Sequence, residues 1–131
     1  MQKFIPLIAR LLLSAIFLIS AFGKISNFSG TQQYMASYKM PLTGFFLVCA
    51  IILEIFGGLS VLLGFKAKLG AIALIIFLIP ATLIFHTKLS DQIQMIMFMK
   101  NMAILGGLLL LVFFGAGPLS LDARTTSKKT E

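Results

Sequence analysis

From Leu42 to Gly64 the chain reads LTGFFLVCAIILEIFGGLSVLLG. That is about 23 residues, long enough as a helix to cross a bilayer with some tilt. One charged side chain, Glu54, interrupts the run near its middle. A carboxylate at that depth is costly unless it is neutral or faces a partner. The rest of the sequence is therefore read for what stands opposite Glu54. Three further apolar runs supply the candidates: Phe4 to Phe22, Leu69 to Phe85, and about Gln92 to Phe114.

Four such runs in 131 residues, with 11% charged residues and a mean hydropathy of +1.03, describe a membrane domain. Soluble domains carry roughly 25% charge. The reading is an all-α membrane protein, a four-transmembrane-helix bundle over residues 1–122 with helices at about 4–23, 42–64, 68–86 and 92–114. Residues 123–131 form a polar cytoplasmic tail, and the chain is expected to be loose from Leu119 onward. A net charge of +7 would suggest nucleic acid in a soluble protein. Here the basic residues flank apolar runs, no basic face with interleaved aromatics exists, and nucleic-acid binding is excluded. Cys49 is the single cysteine, which excludes an intramolecular disulfide relay.

Local signals place the connections. Lys3, an apolar core and small residues near Ser20 loosely suit a secretory signal, but Arg10 breaks that core, so the segment is read as a retained helix. Between Lys24 and Met40 a short interfacial helix is predicted over Thr31 to Tyr38, starting near Ser29 or Gly30 and stopped by Pro41. Tyr34, Tyr38, Phe28, Phe45 and Phe46 would form the aromatic belt. Gly64 to Lys68 is a tight basic turn, Pro80 a kink, and Ser90 the cap of the last helix, with Asp91 in its first turn. Gly57-Gly58 and Gly106-Gly107 echo each other. Independent close packing explains them more simply than a duplicated two-helix unit.

Four spans put both termini on one side. Lys3, Arg10, Lys66, Lys68, Arg124, Lys128 and Lys129 fall there, against Lys24, Lys39, Lys88 and Lys100 opposite. The positive-inside rule then makes both termini cytoplasmic. At 1.5 Å per residue from that side, Arg10 lies at roughly 10 Å, Glu54 at roughly 15 Å and Lys100 at roughly 21 Å, with His86 and Lys24 near the outer surface. Arg10, Ser14, Phe17, Ala21 and Lys24 share one stripe of the first helix. The pattern predicts an outward-open polar cleft with Glu54 at its floor between Arg10 and Lys100, net positive and suited to an anionic or electronegative ligand. A structural ion network setting helix register is the competing reading. His86 has no second His, thiol pair or nearby second carboxylate to complete a coordination shell, so no metal site is assigned. The methionines from Met95 to Met102 read as soft packing. No catalytic set is visible.

Arg10-Leu-Leu-Leu, Phe22-Gly-Lys24, Glu54-Ile-Phe-Gly-Gly, Leu78-Ile-Pro-Ala-Thr82 with His86, Lys100-Asn101 and Gly117-Pro-Leu-Ser-Leu-Asp122 together resemble the DoxX family of small bacterial inner-membrane proteins. The resemblance spans about Phe4 to Asp122. It implies a four-helix bundle in the bacterial plasma membrane. Some relatives are linked to thiosulfate:quinone oxidoreductase or to oxidative-stress enzymes, and many have no established activity. The family's polar positions carry over as Arg10, Lys24, Glu54, His86, Lys100 and Asn101. The implied role is a ligand-binding or partner-docking subunit beside redox chemistry, with a redox-enzyme partner or a homo-oligomer as company. With no haem ligand pair, flavin motif or CxxC in the sequence, no cofactor is intrinsic and a bound quinone is the one implied. A small transporter, a lipid-headgroup binder and a non-catalytic scaffold are the alternatives.

Overall fold

The computed structural model describes residues 4–86 and 88–124. Lys3, Thr87, Lys128 and Lys129 lie outside them. Five helices follow in order: α1 (Phe4–Ser26), α2 (Phe28–Ser37), α3 (Thr43–Leu63), α4 (Ala67–Phe85) and α5 (Gln92–Phe114). All except α2 are long and apolar enough to span a membrane, and the boundaries fall within about three residues of the sequence expectation. The protein is an all-α membrane bundle.

α3 is the central element. It packs against α1 on one side and α4 on the other; α5 packs on α4, while α1 and α5 meet only sparsely. Small residues allow the tightest approach. A methyl group at Gly57 would meet Leu74 Cγ at 2.8 Å and the Gly70 carbonyl at 3.0 Å, so α3 and α4 are nearly in backbone contact there. Gly106 faces open space and Gly107 faces Leu13, so the two glycine pairs do different jobs. Phe17, Val61, Ala71, Leu74, Leu78, Leu108 and Leu111 form one contiguous core. The predicted stripe of α1 is the buried one, with Arg10, Ser14, Phe17 and Ala21 all inside.

Three local expectations change. The interfacial helix starts at Phe28, because only Asn27, at φ −129°, separates it from α1. The Asn27 side chain lies directly over Gly30, where a methyl group would come within 2.6 Å of its Oδ1. The cap of α5 is Asp91 rather than Ser90: its carboxylate accepts from Ile93 N–H at 3.0 Å. The chain from Leu119 to Arg124 is not a loose tail. Asp122 accepts from the N–H groups of Lys66 (2.6 Å) and Ala67 (2.9 Å), and its own N–H donates to Gly64 O at 2.8 Å. A helix start leaves unpaired N–H groups and favours negative charge. Asp122 supplies both acceptors to α4 from the far end of the sequence.

Candidate functional site

Two buried charges, Arg10 and Glu54, have different partners. Arg10, 1% exposed, extends towards the end of the bundle that carries both termini. Its guanidinium donates to Val61 O (3.3 Å), Leu62 O (3.1 Å) and Leu119 O (2.7 Å). The last carbonyls of a helix have no intrahelical donor and carry partial negative charge. Arg10 therefore closes the C-terminus of α3 and ties down the C-terminal segment. The expected placement of Glu54 between Arg10 and Lys100 is wrong for this reason. Arg10 finds its acceptors at the helix end, roughly 11 Å along α3 from Glu54.

Glu54 instead faces Lys24, from the opposite end of α1. Lys24 Nζ lies 2.7 Å from Glu54 Oε1 as an ion pair without aligned hydrogen-bond geometry, and donates to Ser20 Oγ at 2.6 Å. It also sits 5.4 Å from the centroid of the Phe77 ring, a cation–π contact. Glu54 is fully buried; neither of its oxygens has an aligned hydrogen bond among the described residues, and the Ser20 hydroxyl stands beside the carboxylate. Lys24 keeps about a fifth of its side-chain surface open. A lysine at the membrane interface thus turns inward because a carboxylate waits there.

This pair lies on a cavity of about 260 Å³ in the α2 half of the bundle. Ile16, Phe17, Ser20 and Lys24 of α1 line it, as do Thr31, Tyr34 and Met35 of α2, and Leu47, Ala50 and Glu54 of α3. Phe77, Leu78, Ala81, Phe85 and His86 of α4 and Lys100, Asn101 and Ile104 of α5 complete it. Towards the termini the cavity is closed by the Val61, Leu74, Leu108 and Leu111 core. At its outer rim Tyr34 stacks on Phe85 (ring centroids 5.4 Å), and Tyr38 meets the same ring edge-on at 4.9 Å. Partial burial and then the Tyr34–Tyr38 hydrogen bond push the Tyr34 phenol up to about 12, so it keeps its proton throughout the physiological range.

Of the six residues named from sequence, Lys24, Glu54, His86, Lys100 and Asn101 line this cavity and Arg10 does not. His86 Nδ1 lies 2.9 Å from Gln94 Oε1, joining the ends of α4 and α5. Asn101 is buried and donates from Nδ2 to Thr82 Oγ1 at 3.0 Å; Thr82 in turn donates to Leu78 O at 2.7 Å. This chain braces α4 around Pro80, which lies inside the helix and withholds the N–H that Ile76 O would otherwise accept. The Lys100 side chain is exposed and its ammonium rests 3.4 Å from Met97 Sδ, away from Glu54. Ser20, Tyr34 and Gln94 were not singled out for the site from sequence. Ser20 carried a usable signal, standing four residues before Lys24 on the same helical face; the other two are set by inter-helix geometry.

A chain of this design has close kin. The family model described as DoxX matches residues 5–87. The chain is 40% identical over 123 residues to the inner membrane protein YqjF of Escherichia coli K12, covering 94% of this chain and 92% of that one. It is 36% identical over 123 residues to the inner membrane protein YphA of the same organism, covering 90% and 88%. No solved structure matches it.

Proposed function

Since the chain belongs to the DoxX family and is a multi-pass inner-membrane protein, we propose that its outer-half cavity is a binding site for a small membrane-soluble molecule with a polar head. A quinone is the class to test first. The observation that carries this reading is Glu54, a carboxylate with no exposed surface, floored in a cavity beside Lys24 and with no aligned hydrogen bond to either oxygen among the described residues. A buried acceptor left open costs about 1–3 kcal/mol or more, and a ligand hydroxyl would recover it. Lys24 beside it offers a donor to a carbonyl. A quinone head presents carbonyls when oxidised and hydroxyls when reduced, so the pair suits both forms.

Size and shape agree with this. Sites for drug-sized ligands occupy roughly 300–1,000 Å³, so about 260 Å³ suits a single head group with its tail outside. The sparse α1–α5 contact, with Ile16 on one side and Ile104 on the other, gives the tail a way into lipid. A filled core beneath the cavity favours binding over passage across the membrane. In this reading both termini are cytoplasmic and a redox-enzyme partner delivers electrons; this chain holds the head.

The test is calorimetric titration of a short-tailed benzoquinone into the purified protein in nanodiscs. Saturable binding is expected, weakened at least tenfold in Lys24→Met and Glu54→Gln and retained in Asp122→Ala. Absence of saturable binding, combined with Glu54-dependent anion uptake into liposomes, would replace this reading with a transporter.

A further inference from the structure

Lys100 is the charge that the cavity does not settle. It stands about 12 Å along α5 from the first residue of that helix, inside the apolar layer rather than at its edge. A cation at that depth is expensive unless it reaches water, headgroups or a counter-charge. Yet among the described residues its exposed ammonium has only a thioether sulfur, a weak acceptor, at 3.4 Å. Among the described residues no carboxylate lies within 4 Å of it, and the one carboxylate of the cavity is paired with Lys24. Of the remaining ionisable side chains on the lining, His86 is hydrogen-bonded to the neutral Gln94 and the Tyr34 phenol to Tyr38.

We infer that the occupant of the cavity is a membrane-soluble acid, an apolar body bearing one negatively charged group that Lys100 neutralises. This rests on the reading of the cavity as a binding site and adds the sign of the ligand's charge. The geometry supplies the division of labour. The Lys24–Glu54 pair is a net-neutral floor that hydrogen-bonds the head, and Lys100, on the α5 side of the sparse α1–α5 seam, meets the anionic group. Leaving the Met97 sulfur costs Lys100 little, so the ammonium is free to swing onto a carboxylate, an ionised enol or a phosphate. That anionic group belongs either to a small amphiphilic acid or to a lipid headgroup leaning into the seam.

The experiment compares two probes of nearly equal size: 2-hydroxy-1,4-naphthoquinone, ionised at neutral pH, and 2-methyl-1,4-naphthoquinone, which is neutral. Both are titrated into wild-type protein and Lys100→Gln in phosphatidylcholine nanodiscs. Wild type should bind the acid about tenfold more tightly, and Lys100→Gln should bring the ratio close to one while changing the neutral probe's affinity less than threefold. Equal affinities in wild type, or a preference that survives Lys100→Gln, overturn the inference while leaving the cavity reading intact. Failure of both probes to bind removes the cavity reading along with it. Repeating the titration in phosphate-free, uncharged maltoside micelles, with and without a soluble short-chain phosphatidylglycerol as competitor, separates the sources. Displacement of the acid by that lipid assigns the anion to a lipid phosphate, and a preference retained in its presence assigns it to a small acid.

Discussion

The two ends of this bundle treat buried charge in opposite ways. At the end carrying the termini, Arg10 is surrounded by backbone carbonyls and Asp122 by backbone N–H groups. Each side chain completes a helix terminus that α3 or α4 leaves open, so the charges are absorbed into the fold. At the α2 end, Lys24 and Glu54 pair on the lining of a cavity, the carboxylate has no aligned hydrogen bond, and Lys100 stands apart. Arg10 leaves its Nε without a partner among the described residues but does not line the cavity, whereas open polar atoms beside empty volume are available to something else. Burial alone would not separate them, as Arg10 and Glu54 are both essentially inaccessible.

The sharpest way to break the contrast is Arg10→Met. It strips donors from three carbonyls and releases the C-terminal segment, so thermal unfolding in detergent should report a loss of about 3–5 kcal/mol. Ligand binding per folded molecule should be unchanged; a selective loss of binding at normal stability would erase the distinction between the two ends. A smaller effect is expected from the floor of the cavity. Glu54→Gln should cost about 1–2 kcal/mol, because Lys24 is partly open and has Ser20 Oγ as a second partner. In Lys24→Met/Glu54→Gln most of that should return, since removing both members of a buried pair spares the uncompensated charge. A double variant as unstable as the sum of the singles would show the two side chains to be uncoupled and would remove the pair from the contrast. The smallest effect belongs to Asp122→Ala, at about 1 kcal/mol for a lost helix cap, with the quinone titration unaltered.

Much of this was legible in the chain itself. Four apolar runs and a low charge content leave few folds available, because in lipid every backbone polar group must be satisfied within the segment. Spacing along α1 identified the buried stripe, because side chains at i, i+3 and i+4 share a face whatever surrounds the helix. Glu54 stood out because a carboxylate amid apolar residues always needs an explanation. Five of the six polar positions named for the cleft do line one cavity.

Partners were not legible, for a physical reason. Depth estimates assign each residue a height, but an arginine or lysine stem moves its charge up or down the helix by a turn or more. Arg10 therefore reached the α3 carbonyls and Lys24 reached down to Glu54, exchanging the roles that height suggested. Asp122 was invisible as a cap because it closes α4 from across the C-terminal segment, and the sequence between them carries no trace of that contact. Local periodicity determined which helices form and which faces they bury. Only the packing of α1 and α4 against α3, together with the gap towards α5, decided which charges are spent on holding the bundle and which are left facing a cavity.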